Sequence, residues 1–167
     1  MHLIFAIFII TFLPYTIFGA SAFGRSNYNS PGAKDCVQVS KNDTLNREVL
    51  ELRTAFDQKD YKKVVMQARS IINEYKNKAK QEQSALKEPV WESNDRRLVY
   101  DALNSVSLAL YWEARALYEL GEAQRSQESG SELLKKFYFG QCITASGEFT
   151  RPDLDLTLDL KMFSGKK

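Results

Sequence analysis

Between residues 43 and 139 the apolar positions recur in steps of three and four rather than alternating, and that period predicts helices. Leu45, Val49, Leu52 and Phe56 make one helix face. Asn42, Asp43 and Thr44 stand just ahead of it, and such side chains accept hydrogen bonds from the first unpaired N–H groups of a helix. Asp57-Gln58-Lys59-Asp60 interrupts the face. Tyr61 then opens a second run through Val64, Val65, Ala68, Ile71, Ile72 and Tyr75. This run passes into the polar tract NKAKQEQSALK and closes at Pro89, because the residue before a proline avoids the α conformation. A third helix is expected from Ser93-Asn94-Asp95, with a stripe of Leu98 or Val99, Leu103, Val106, Leu110, Ala114 and Leu117. As one rod of some 25 residues it would be nearly 40 Å long. Gly121 ends it, since glycine readily takes the left-handed conformation after a helix. A fourth helix is expected from Glu122 towards Phe139, its middle weakened by Gly130 by about 1 kcal/mol relative to alanine.

The flanks differ. Residues 23–41, with NYNSPGAKD, read as an irregular leader. Residues 140–167 read as an extended or flexible tail, in which Leu154, Leu156, Leu158, Leu160 and Met162 alternate with polar residues, the period of a strand. One strand is not stable alone, so it must pair with another chain, fold on the helices or stay mobile.

Small residues sit among large ones in LALYWEARALYEL. Ala114 shares a stripe with Leu110 and Leu117, and a leucine there would push a neighbouring helix away. With Gly121 permitting a tight reversal, the following helix should lie antiparallel. The expected fold is therefore all-α, two antiparallel helical hairpins over 42–139.

Leu110, Ala114 and Leu117, the turn Leu120-Gly121, and Ser126, Leu133 and Leu134 beyond it resemble a tetratricopeptide repeat, a helical hairpin with a large–small–large first helix. Lys59-Asp60-Tyr61 resembles the turn of an earlier copy, with Val64, Ala68 and Ile71 at its packing positions. The departures are Lys59 in place of glycine, Val64 in place of a small residue, and turns about 62 residues apart against a repeat of 34. A plain four-helix bundle has the same helices. The resemblance, over 43–138, implies a concave groove that takes an extended segment or a helix of a partner.

Residues 1–22 lack acid, lysine and arginine, are apolar from Leu3 to Phe18, and end in Gly19-Ala20-Ser21-Ala22. That is the pattern of a secretory signal peptide cleaved after Ala22. The alternative is an uncleaved anchor, for which the run is shorter than the ~20 residues of a spanning helix. The expected location is secreted or periplasmic, with no membrane attachment after cleavage. Cys36 and Cys142 are then a candidate disulfide rather than two free thiols, and a closed loop of about 100 residues could stabilise by up to about 4 to 5 kcal/mol. In a eukaryotic secretory pathway Asn42-Asp43-Thr44 is a glycosylation sequon, and in a bacterium it carries no such meaning.

A net charge of +2 with interspersed signs gives no nucleic-acid or anionic-membrane footprint. The cluster Lys76, Lys78 and Lys80 reads as a solvated helix end. The only histidine is His2, which removes histidine-dependent nucleophilic sites and the commonest transition-metal ligand from the mature chain. No phosphate loop and no C-x-x-C occur, so no cofactor or metal is implied. Carboxylate chemistry stays open: QESGS, 127–131, resembles the catalytic Glu-Ser of lytic transglycosylases, and WES, 91–93, does so more faintly. Glu128 would then be the general acid, its pKa raised by burial.

Aromatics crowd the second half. Tyr111, Trp112 and Tyr118 lie off the Leu110–Ala114–Leu117 stripe, so they form either a second buried face or, with Arg115, a partner surface. The leading expectation is an exported scaffold or adaptor binding a protein or peptide, in envelope assembly or secretion. The alternatives are a secreted bundle carrying an apolar small molecule and a glycan-cleaving enzyme using Glu128.

Overall fold

In a computed structural model, which describes residues 32–90 and 94–157, the first amphipathic stretch forms helix α1, Asp43–Asp57. Asn42 caps it, its side chain accepting from the Thr44 N–H at 2.9 Å. Helix α2, Tyr61–Ala85, starts at Asp60, whose carboxylate accepts from the Lys63 N–H. Helix α4, Asp101–Glu119, and helix α5, Ala123–Lys136, make the second pair. The predicted signal segment 1–22, leader residues 23–31, the WES stretch and the tail from 158 lie outside the described residues.

Both hairpins turn in the same way. After α1 the Lys59 N–H bonds Phe56 O and the Asp60 N–H bonds Ala55 O, each at 2.9 Å. After α4 the Gly121 N–H bonds Tyr118 O and the Glu122 N–H bonds Leu117 O, again at 2.9 Å. This pair of bonds ends a helix on one left-handed residue. That residue is Gly121 at φ 77° in one turn and Lys59 at φ 59° in the other. The chain does double back at Gly121. Ser126 meets Ala114, Ser129 meets Glu113, and Ser107 meets the carbonyl of Phe137, an antiparallel order. Helices α2 and α4 are antiparallel too, since Lys78 meets Asp101 while Arg69 meets Glu113. Among the described residues no helix is long and apolar enough to cross a membrane.

The expected single rod over 93–120 is instead broken. A short helix α3, Asn94–Arg97, precedes α4, and residues 98–100 turn between them. Side chains distant in sequence hold the break open. The Asn104 amide donates to Arg97 O and to Val39 O, both at 3.0 Å. The Leu103 N–H, unpaired at the start of α4, donates to the Glu82 carboxylate on α2 at 2.8 Å.

The fold is mostly helical rather than all-α. Leader and tail combine in a three-stranded antiparallel sheet, ordered β1 (Cys36–Gln38), β2 (Cys142–Thr144), β3 (Phe149–Thr150). Cys36 pairs with Thr144 and Gln38 with Ile143, with a bulge between, and Cys142 pairs with Thr150. The Cys36–Cys142 disulfide joins β1 to β2, its Cα atoms 5.7 Å apart. Residues 23–41 are thus not irregular throughout. Asn46 also pins the leader to α1, its amide oxygen accepting from Val39 and Ser40 N–H groups at 3.0 and 3.1 Å. Nor is the alternating tail a strand where it is described: residues 152–157 are helical. Pro152 fits the first position of a helix, where its missing N–H is not needed, and the Leu156 side chain is buried.

The two turns generate a prediction. A residue with a Cβ at positive φ is strained by roughly 1 kcal/mol relative to glycine. Lys59→Gly should raise the unfolding free energy, partly offset by a freer unfolded chain, and Gly121→Ala should lower it by about 1 kcal/mol. Urea denaturation of both variants measures this, and the same sign for both would contradict the equivalence of the turns.

Candidate functional site

Helix α4 lies at the centre of the described packing, with α2, α5 and α1 against it. From Ala102 to Leu117 only Arg115 is not buried. Tyr111 and Trp112 are each 2% exposed. The two rings expected at a partner surface therefore belong to the core, and the second buried face is the reading the packing supports. The reason is geometric: a central helix meets neighbours on more than one side, so off-stripe aromatics are buried as well.

Arg115 and Tyr118 are half-buried. The Arg115 guanidinium lies over three rings, 5.1 Å from the Phe56 centroid, 5.4 Å from Tyr111 and 5.6 Å from Trp112. It donates to the Tyr111 hydroxyl at 2.8 Å. Such contacts over ring faces hold a cation while leaving part of it in water. Phe56 sits 4.9 Å from Trp112 and 5.2 Å from Tyr61, the latter edge-on. The first hairpin turn delivers Phe56 and Tyr61, both half-buried, to the C-terminal half of α4. Ala114 and Leu117 are buried as their packing roles require, while Gly121 is exposed at the turn.

Beside this cluster Glu113 is fully buried. Arg69 of α2 forms an ion pair with one carboxylate oxygen, and the Ser129 hydroxyl of α5 donates to the other at 2.9 Å. One carboxylate so joins three helices. Sequence reasoning passed over it, although an acid inside LALYWEARALYEL was a visible signal. Burial raises the Glu113 carboxyl above the ordinary carboxylate range, against the opposing pull of Arg69, Ser129 and Arg125. The folded protein then holds this proton more tightly than the unfolded chain. Glu113's contribution to stability is present in full below the ordinary carboxyl value and is lost as pH rises through the raised one.

Two of the three clustered lysines also tie helices together. Lys76 pairs with Glu132 of α5 at 2.7 Å, and Lys78 with Asp101 of α4 at 2.6 Å. Glu128 lies on the exposed face of α5, accepting from Gln124 at 3.1 Å. The glycan-cleaving alternative expected this side chain to be buried, and it is exposed. Among the described residues no group of three histidines, cysteines or acids is arranged to hold a metal ion.

No family model, no curated protein and no solved structure matches the chain.

The ion pair yields a test with a sign. Arg69→Ala leaves the buried carboxylate without its ion-pair partner, and stability should fall by about 3 kcal/mol at pH 7. At pH 4 the loss should be clearly smaller, because a proton neutralises Glu113. Urea unfolding at both pH values measures this, and equal losses would assign the effect to the missing arginine stem instead.

Proposed function

We propose that the chain is an exported helical scaffold that binds a protein or peptide partner. The observation that carries this reading is the half-buried cluster of Phe56, Tyr61 and Arg115, beside the first of two similarly turned hairpins. Aromatic and arginine side chains dominate binding energy at protein interfaces, above all where they are already held in place. Here Arg115 is pre-ordered over Phe56, Tyr111 and Trp112, so little freedom would be lost on binding. The likeness to a tetratricopeptide repeat supports the same conclusion, since helical hairpins in series offer an extended segment a groove. The Cys36–Cys142 disulfide is consistent with an oxidising, extracytoplasmic location. The buried rings Tyr111 and Trp112 act in this account as the backing of the surface rather than its face.

Partner capture from the native host tests it, with the purified protein as bait. Tyr61→Ala should reduce recovery of a specific partner at least tenfold, equivalent to about 1.4 kcal/mol. Met66→Ala, an exposed position on α2, should leave recovery unchanged, and both variants should melt as cooperatively as the parent. A partner retained equally by the parent and by Tyr61→Ala would place the binding surface elsewhere.

A further inference from the structure

Asn-X-Thr occurs once in the 167-residue sequence, at Asn42-Asp43-Thr44. The fold puts all three side chains in the open: positions 41–44 are exposed. Asn42 is the cap of α1, with extended backbone at φ −88° and ψ 115°. Its amide is used on one side only. Oδ1 accepts the Thr44 N–H at 2.9 Å, while Nδ2 donates to no described group. The Asn42 N–H is held by the Ser40 hydroxyl at 2.8 Å. The capping bond therefore needs the carbonyl oxygen and leaves the nitrogen and the Thr44 hydroxyl free.

We propose that Asn42 is an acceptor for an N-linked glycan. The chemistry requires only what is open. Asn42 Nδ2 forms a bond to the anomeric carbon of a lipid-pyrophosphate-linked oligosaccharide, the carbon–oxygen bond to the pyrophosphate breaks, the lipid pyrophosphate leaves, and the Nδ2 proton passes to a base of the transferase. Oδ1 is untouched, so the glycosylated side chain still caps α1. Folded protein accommodates the sugar for the same reason, because the amide nitrogen is exposed at a helix start rather than packed against a neighbour. A glycan is the modification of an exposed sequon in a chain exported through a eukaryotic secretory pathway, and the inference rests on export as proposed above, by that route.

Translation with endoplasmic-reticulum microsomes tests the two ideas separately. The full chain is translated once as it stands and once behind a known signal for that compartment. With the added signal, most protease-protected product should be heavier by one glycan, removable by an endoglycosidase. Asn42→Asp, which keeps a capping carboxylate, and Thr44→Ala, which leaves the backbone donor in place, should each abolish the increment. Protected product of unmodified mass would overturn the proposal. A glycan seen only with the added signal would uphold the acceptor and count against export by the chain's own N-terminus.

Discussion

The structure depends on how closely α4 and α5 approach. The Ser126 hydroxyl, one carbon from its backbone, donates to the Ala114 carbonyl of the other helix at 2.7 Å. So short a side chain reaches a neighbouring backbone only where two helices nearly touch. The same seam continues in both directions. Ser129 reaches Glu113 nearer the middle of α5, and Ser107 reaches the Phe137 carbonyl at its far end. Just beyond, Gly140 crosses α4 with no room for a side chain: an added Cβ would stand 2.0 Å from the Ser107 hydroxyl oxygen. Small and hydroxylated residues thus line the contact from the hairpin turn to the sheet. They let Ser129 reach the Glu113 carboxylate across the seam while Arg69 pairs with it from α2, and such partners are the condition for burying a charge there at all.

Much of this was legible because it is local. Asn42 and Asp60 announce helix starts through the atoms that cap them, and Gly121 announces a turn through the one conformation it favours. Ala114 announces close packing through its size. The two cysteines were readable as a pair because their number is even and the apolar N-terminal segment predicts an oxidising compartment. Lys59 shows the limit of such signals. Its side chain argues against a left-handed residue, yet the Asp60 and Lys59 N–H bonds to the end of α1 impose one.

What escaped the sequence is set by distant partners. The break at residues 98–100 is maintained by Asn104 and Glu82, neither of which belongs to the turn. The sheet is built from strands of two or three residues, too short to show a period, and it exists because the disulfide, Asn46 and Asn104 hold leader and tail against the helices. Tyr111 and Trp112 lie off the main stripe, and only the number of helices around α4 decides whether such positions face water. In the candidate site, sequence spacing brought Arg115 forward, but Phe56 and Tyr61 joined it through the first hairpin turn. The result is an arginine fixed over rings at one end and a buried acid fixed by an arginine beside it, both centred on the same helix.

The most direct test is the stability of Ala114→Leu against that of Ala123→Leu, an exposed position at the start of α5, by urea unfolding. If the close seam governs the fold, leucine at 114 lowers the unfolding free energy by about 2 to 3 kcal/mol, while leucine at 123 changes it by no more than about 0.5 kcal/mol. An Ala114→Leu protein that unfolds at the parent's midpoint would contradict the account.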